Sequence, residues 1–185
     1  GEVLQYIEGV GFFVLGVANS ALMKVLSADD AGGQNVATAQ PWFPTAGAVA
    51  VAADTTYQMS GLLALTRAAG ATSHTTSLRF AGTATLTGIQ YKASVKAGDV
   101  ESNAADNATV ARVATATVVK AASTATTETI TVEIDGIVRV NAAGTLIPQF
   151  IYSAAPGGAP TIKANSYFRL DYLGSGSFTL SGTWS

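Results

Sequence analysis

The segment Thr129–Val140 alternates between apolar and polar residues at almost every position. Its valines and isoleucines, apart from Ile137, share one parity, and most of its charged and hydroxyl residues hold the other. This period of two predicts a β-strand with one buried face and one solvated face. The sequence Ala142-Ala143-Gly144 predicts a turn, and a second apolar segment follows at once. We therefore expect residues 127–141 and 145–153 to form a β-hairpin.

Short apolar segments of the same kind recur along the chain, separated by turn-forming residues. The further predicted strands cover residues 46–52, 55–67, 75–82, 85–95, 110–120, 161–173 and 177–184. Residues 96–107 are acidic and polar and predict an exposed loop. Roughly eight to ten strands at regular spacing predict an all-β, antiparallel, jelly-roll-like β-sandwich. We assign it to residues 36–185.

Residues 1–35 predict an N-terminal apolar segment and loop that serve assembly or attachment. Within them, Gly9–Met23 is uncharged and apolar, but a membrane-spanning helix needs about 20 residues. One or two buried strands are expected there instead. The chain starts at Gly1 without Met, which is expected of a processed N-terminus or of a fragment of a longer protein.

The segment Leu146–Tyr152 differs from the other strands, because both of its parities are apolar. A strand that is apolar on both faces is usually buried on both faces. In a two-layered sandwich one face points outward, so the second apolar face predicts contact with another subunit. The predicted subunit-interface residues are Leu146, Ile147, Phe150, Ile151 and Tyr152.

Composition narrows the choice of function. The chain has 185 residues, which suits one domain, and no cysteine, which excludes disulfide and thiolate chemistry. Charged residues make up 12% of it, about half the usual share. Such a poorly charged surface favours contact with copies of the chain or with a lattice. The net charge is −2 without a Lys/Arg cluster, so no nucleic-acid partner is expected.

Three quoted segments carry a resemblance to a known family. The sequences GTLIPQF at 144–150, NSYFRL at 165–170 and the terminal TWS resemble the C-terminal β-domains of tailed-bacteriophage virion proteins. The region 40–67, with an aromatic loop before a Tyr-bearing strand, is similar to them as well. The resemblance covers residues 36–185. It implies a homotrimeric jelly-roll sandwich in the virion, as a tail-fibre or spike tip or a capsid decoration protein. Expected partners are other virion proteins and a host-surface glycan or protein, without membrane insertion.

Few residues offer catalytic or metal-binding chemistry. His74 is the single histidine, and a surface position at a turn is expected for it rather than a place in a catalytic triad. The acidic pair Asp29-Asp30 and the group at 99, 101 and 106 lack the spacing of a calcium loop. Glu133 and Asp135 share a wet strand face, where solvation is expected rather than the work of paired glycosidase carboxylates. We therefore expect no enzyme activity, no metal and no cofactor.

Aromatic side chains offer one alternative. A sugar-stacking platform would need exposed rings, whereas packing in the core or at a subunit interface is the expectation for most of them. The rings considered are Trp42, Tyr91, Tyr152, Tyr167 and Trp184. The predicted surface or receptor contacts are Trp42, Phe43 and His74. A carbohydrate-binding module or adhesin outside any phage stays open as the second hypothesis.

Overall fold

The computed structural model describes residues 3–7, 11–15, 21–44, 47–97 and 107–175, and within them the chain is all-β and antiparallel, as predicted. This part of the chain contains no helix, and so none that could cross a membrane. The strands follow in this order: β1 Val3–Ile7, β2 Gly11–Leu15, β3 Leu22–Val25, β4 Gln40–Pro41, β5 Val49–Val51, β6 Thr55–Arg67, β7 His74–Ala81, β8 Thr85–Ala97, β9 Asn107–Ala111, β10 Thr117–Ser123, β11 Glu128–Ala142, β12 Gly144–Tyr152, β13 Thr161–Ile162 and β14 Tyr167–Ser175.

Two sheets carry the architecture. A seven-stranded sheet has the order β3-β14-β6-β11-β8-β9, with β13 also pairing with β6. A five-stranded sheet has the order β10-β7-β12-β4, with β5 also pairing with β12. Strands β1 and β2 pair only with each other among the described strands. Strand β3, from the segment predicted to precede the sandwich, is an edge strand of the seven-stranded sheet.

The core lies between the two sheets, where their apolar faces meet. Phe80 of β7 contacts the rings of Tyr91 and Phe168 from the opposite sheet, with centroid distances of 5.2 and 6.0 Å. Trp42, just after β4, meets the edge of Phe168 at 6.2 Å. Such fully buried apolar side chains each contribute roughly 1.5–3 kcal/mol. The inward parity that the alternation predicts for β6, β8 and β11 is confirmed by their burial.

The predicted hairpin is wrong, although both of its strands exist. Strand β11 pairs with β6 and β8 in one sheet, whereas β12 pairs with β4, β5 and β7 in the other. A single residue, Ala143, separates the strands, and the tightest hairpin loops need about two residues. The chain therefore bends from one sheet into the other here. Two register shifts after Arg139 precede the bend, as is typical of sheet corners.

Other predicted elements shift or divide. The strand expected at 110–120 is two strands, β9 and β10, because residues 112–116 form a turn. The strand expected at 161–173 is interrupted between β13 and β14, where Asn165 has a φ of 66°. Met23, expected in a buried strand, is exposed. The predicted strand 177–184 and most of the predicted loop 96–107 lie outside the described residues.

Candidate functional site on the outer face of the large sheet

The outer face of the seven-stranded sheet, which points away from the core, carries most of the exposed large apolar side chains of the described chain. Two exposed valines lie elsewhere, on β10 and in a turn. The members on this sheet are Met23, Val25, Val110, Ile137 and Leu173. Exposed apolar side chains that share a face mark interaction surfaces more often than scattered ones do. This face is therefore the candidate site, and it has two parts.

The first part is a concavity of about 740 Å³ over the centre of the sheet, which we call the sheet concavity. The register of β6, β11 and β8 places Ile137 between Gln58 and Gln90 in one row. The next row places Arg139 beside Gly88. Two planar amides and a guanidinium thus surround an aliphatic side chain.

Gly88 opens the floor of the sheet concavity. A Cβ at this position would meet no atom within 4 Å, so the backbone of Gly88 borders open space beside Arg139. On the other side of Ile137, Asp135 lies opposite Lys92 in the register. Leu173 of β14 lines the concavity from the adjoining strand. A small ligand would meet an apolar floor with a few polar groups at its margin, as is common in binding sites.

The second part is an apolar patch at the edge of the same face, which we call the β3 edge patch. Met23 and Val25 are 52% and 55% exposed. They lie opposite Arg169 and Tyr167 of β14, and Leu62 of β6 follows Tyr167 in the row. Among the described strands, β3 has a neighbour only on its β14 side. The patch therefore joins exposed apolar side chains to a strand edge that no other described strand pairs with.

His74 lies elsewhere, inside a buried charge cluster at one end of the sandwich. Its ring is 1% exposed. Its Nε2 lies 3.1 Å from Oε2 of Glu128, and its Nδ1 lies 2.8 Å from the carbonyl oxygen of Thr72. Both partners are oxygens that accept hydrogen bonds, so each ring nitrogen faces an acceptor. The surface position predicted for His74 is wrong, because its partners hold it in the interior.

Glu128 is the centre of this buried charge cluster. Its carboxylate accepts from Lys120 Nζ at 2.5 Å and from Arg67 Nη2 at 3.2 Å, in addition to His74. Arg67 also donates to the carbonyl groups of Ala69 and Gly70, and so ties down the loop after β6. Burial raises the pKa of Glu128, but hydrogen bonds and attraction from Lys120, with further bonds from His74 and Arg67, lower it more, to about 2.

The other predicted contact residues, Trp42 and Phe43, are also interior. They are 0% and 4% exposed, and the ring of Trp42 packs over Gly61 of β6. Neither side chain offers a surface to a receptor, so this prediction is wrong. The pairing of β4 with β12 carries this aromatic pair into the core.

The predicted subunit-interface residues divide between the two faces of β12. Leu146, Phe150 and Tyr152 are buried between the sheets, which corrects their assignment to a subunit contact. Ile147 and Ile151 are half-buried on the outer face of the five-stranded sheet. Their contact with another subunit stays a prediction. The apolar side chains on the outward-facing side of β12 are therefore already partly buried within one chain.

The acidic residues considered as metal ligands differ in their hydrogen-bond partners. Asp29 accepts from Lys163 and from the amide of Ala164, and both contacts lower its pKa. Asp30 accepts from the amide of Gly32 at 2.7 Å. Within the described residues no group of three potential ligands could hold a metal ion. The acidic group at 99, 101 and 106 lies outside the described residues.

The other aromatic and acidic residues considered lie partly in the core and partly at the surface. Tyr91 and Tyr152 are buried with Trp42, as packing predicts. Tyr167 is half-buried beside the β3 edge patch, and Trp184 lies outside the described residues. Glu133 and Asp135 are both exposed on β11, and Asp135 alone lines the sheet concavity.

Sequence reasoning missed the residues of the sheet concavity, Gln58, Gly88, Gln90 and Arg139. Alternation alone indicates that Gln58, Gln90 and Arg139 point outward. A glycine inside a predicted strand is a known sign of close approach or open space. Their adjacency depends on the order β6-β11-β8, which alternation does not encode. No protein-family model matches this chain, and no curated protein is significantly similar to it.

Proposed function

We propose that the protein is a non-enzymatic bacteriophage virion structural protein, a trimeric, jelly-roll-like sandwich. It would form a tail-fibre or spike tip, or decorate the capsid. The single observation that carries the assembly role is the β3 edge patch, where Met23 and Val25 lie exposed on an edge strand. The resemblance of GTLIPQF and NSYFRL to phage virion domains supports the phage setting.

The β3 edge patch has the properties of a surface that copies of the chain cover. Proteins usually protect edge strands with charge, proline or a covering element, whereas Met23 and Val25 add exposed apolar side chains to this edge. Lys24 is the one charged side chain of β3. The low charge of the whole chain further lowers the cost of burying such a surface. Copies of the chain are therefore the proposed occupants.

The non-enzymatic part of the proposal rests on the surroundings of His74. A general base needs a nitrogen that is free to take a proton from a substrate. Both ring nitrogens of His74 contact oxygens of Glu128 and Thr72, and the ring is enclosed. The histidine thus serves the fold.

Light scattering coupled to size-exclusion chromatography tests the assembly. At micromolar concentration the wild-type chain should elute with about three times the 18.7 kDa of one chain. Met23→Lys/Val25→Lys should give the monomer, because charge on the patch opposes its burial. Thr126→Lys, in an exposed turn, is the matched control and should leave the oligomer intact.

Two outcomes would overturn this assignment. If the wild-type chain elutes as a monomer, the proposed trimer is wrong. Dissociation by Ile151→Lys, with the Met23→Lys/Val25→Lys oligomer unchanged, would move the contact to the five-stranded sheet. Binding of labelled chain to whole host cells, compared with binding to undecorated capsids, then separates a fibre tip from a decoration protein. If the labelled chain binds neither host cells nor capsids, the proposed virion role is wrong.

The sheet concavity favours a second function, a carbohydrate-binding module or adhesin. Its two amides, Gln58 and Gln90, its guanidinium and its aliphatic floor suit a hydroxyl-rich ligand. The two functions are compatible, because a fibre tip could contact a host surface by binding its sugars in the sheet concavity. Binding of neutral and acidic sugars to the purified chain tests it.

A further inference from the structure

We propose that the sheet concavity binds a sugar that carries a carboxylate. This inference deepens the proposed function: it names a ligand class for the surface contact and rests on the outer face being a binding face. It depends on different residues from those of the β3 edge patch, so the two proposals can fail separately.

The charge balance of the sheet concavity favours an anion. Its charged lining residues are Lys92, Arg139 and Asp135, which leaves one net positive charge. None of the three forms an ion pair with any residue that the structure describes. Lys92 and Asp135 lie opposite each other in the register and reduce each other's field. Arg139, one row beyond Ile137, is therefore the cation of the lining that has no carboxylate opposite it in the register.

The position of Arg139 favours a carboxylate over other small anions. A guanidinium can hold a carboxylate with two parallel hydrogen bonds. The open floor at Gly88 lies directly beside Arg139 in the register, which leaves room for such a group. Phosphate would also satisfy Arg139, but Lys92, the other cation of the lining, lies two rows away opposite Asp135, so no second cation lies beside Arg139.

The rest of the sheet concavity suits the body of a sugar. Gln58 and Gln90 lie on either side of Ile137, and each amide can both donate to and accept from a hydroxyl group. Ile137 and Leu173 are 46% and 47% exposed, and they offer an apolar surface for the C–H face of a pyranose. An acidic sugar combines all three requirements: the carboxylate, the hydroxyl groups and the apolar face.

Saturation-transfer NMR on the full chain tests the proposal with four probes: sialyllactose, lactose, methyl glucuronide and methyl glucoside. Each acidic sugar should bind at least about tenfold more tightly than its neutral counterpart, the usual worth of a charge-assisted contact. Arg139→Gln should remove this preference. Gly88→Leu should abolish binding, because its side chain begins in open space beside Arg139 and occupies the room proposed for the carboxylate.

The controls separate binding from folding. Lys96→Gln removes a charge at an exposed position of β8 that lies outside the sheet concavity. It should leave all four affinities unchanged. Thermal unfolding of each variant should match the wild type. Equal binding of acidic and neutral sugars, an Arg139→Gln variant that keeps the preference, or the absence of binding at millimolar sugar would each overturn the proposal. None of these outcomes would bear on the proposed oligomer, which light scattering tests separately.

Discussion

At the scale of single residues, the carboxylate of Glu128 contacts Arg67, Lys120 and His74 at one end of the sandwich. Its side chain is 6% exposed, and those of Arg67 and Lys120 are 2% and 13% exposed. Removing one partner of such a buried group usually costs about 3–5 kcal/mol, because the remaining charges lose their compensation. Its pKa of about 2 lies below the ordinary value of 4.5. The carboxylate therefore gives the folded state a dependence on pH.

We predict that acid destabilises the protein through Glu128. A folded-state pKa below the unfolded-state value contributes stability that is full above pH 4.5 and is lost as the pH falls towards 2. The loss should be on the order of 3 kcal/mol. Urea unfolding between pH 2 and 7, followed by tryptophan fluorescence, measures it.

Two variants separate Glu128 from the other carboxylates. Glu128→Gln should be less stable at pH 7 and should lose most of the acid dependence. Asp29→Asn alters an exposed ion pair, which contributes little because solvent screens it, so its pH profile should resemble that of the wild type. An unchanged profile in Glu128→Gln would refute the assignment.

The sequence does not reveal this buried charge cluster. His74 follows a small polar turn, which normally indicates exposure, and its partner Glu128 is 54 positions away. Nothing near either residue indicates the other, since both begin strands that pair with different neighbours. Residue type and local pattern therefore placed His74 on the surface, and only the meeting of β6, β7, β10 and β11 places it inside.

At the scale of elements, the corner between β11 and β12 depends on Gly144. A Cβ there would lie 2.5 Å from the backbone nitrogen of Ala84 and 2.6 Å from the carbonyl carbon of Thr83. We predict that Gly144→Ala destabilises the protein by about 1–3 kcal/mol, since backbone atoms must move. Chemical denaturation measures the loss.

Gly88→Ala is the matched control for this prediction. It introduces the same methyl group into another strand, but into open space. An alanine in a strand is usually better than a glycine by about 0.5–1 kcal/mol, so this variant should be as stable as the wild type or slightly more stable. Equal effects of the two substitutions would show that the close approach at Gly144 does not constrain the corner.

Alternation predicted the strands better than their connections. The predicted strand 55–67 has the bounds of β6, and its inward residues are buried. The sequence around Ala143 suggested a hairpin because a small-residue turn separated two apolar segments. The same residues allow a bend between sheets, and the choice depends on the partners that each strand finds in the rest of the chain.

At the scale of the whole molecule, sheet order creates the candidate site and could not be predicted from the pattern. Strand β3 pairs with β14, near the other end of the described chain, and β14 in turn pairs with β6. The alternation of apolar and polar residues indicates which face of each strand is solvated. It therefore indicates which residues can contribute to a site on the surface. They do not bring Arg139 beside Gly88, or Met23 beside Arg169, because those pairings depend on long-range register.

Hydrogen exchange should reflect this order. Strands β6 and β11 have hydrogen-bonded neighbours on both sides, whereas β3 and β9 are the ends of the described sheet. We predict that β6 and β11 exchange slowest, near the rate of global unfolding, and that β9 exchanges fast because edges open locally. Mass spectrometry of peptides after labelling measures the rates.

The oligomer adds a sharper form of this prediction at β3. If copies of the chain cover the β3 edge patch, the wild-type oligomer should protect residues 22–25 more strongly than the Met23→Lys/Val25→Lys monomer does. Strand β9, at the opposite edge of the same sheet, should exchange equally fast in both and serves as the internal control. Protection of β3 that is the same in oligomer and monomer would show that the contact between chains lies elsewhere.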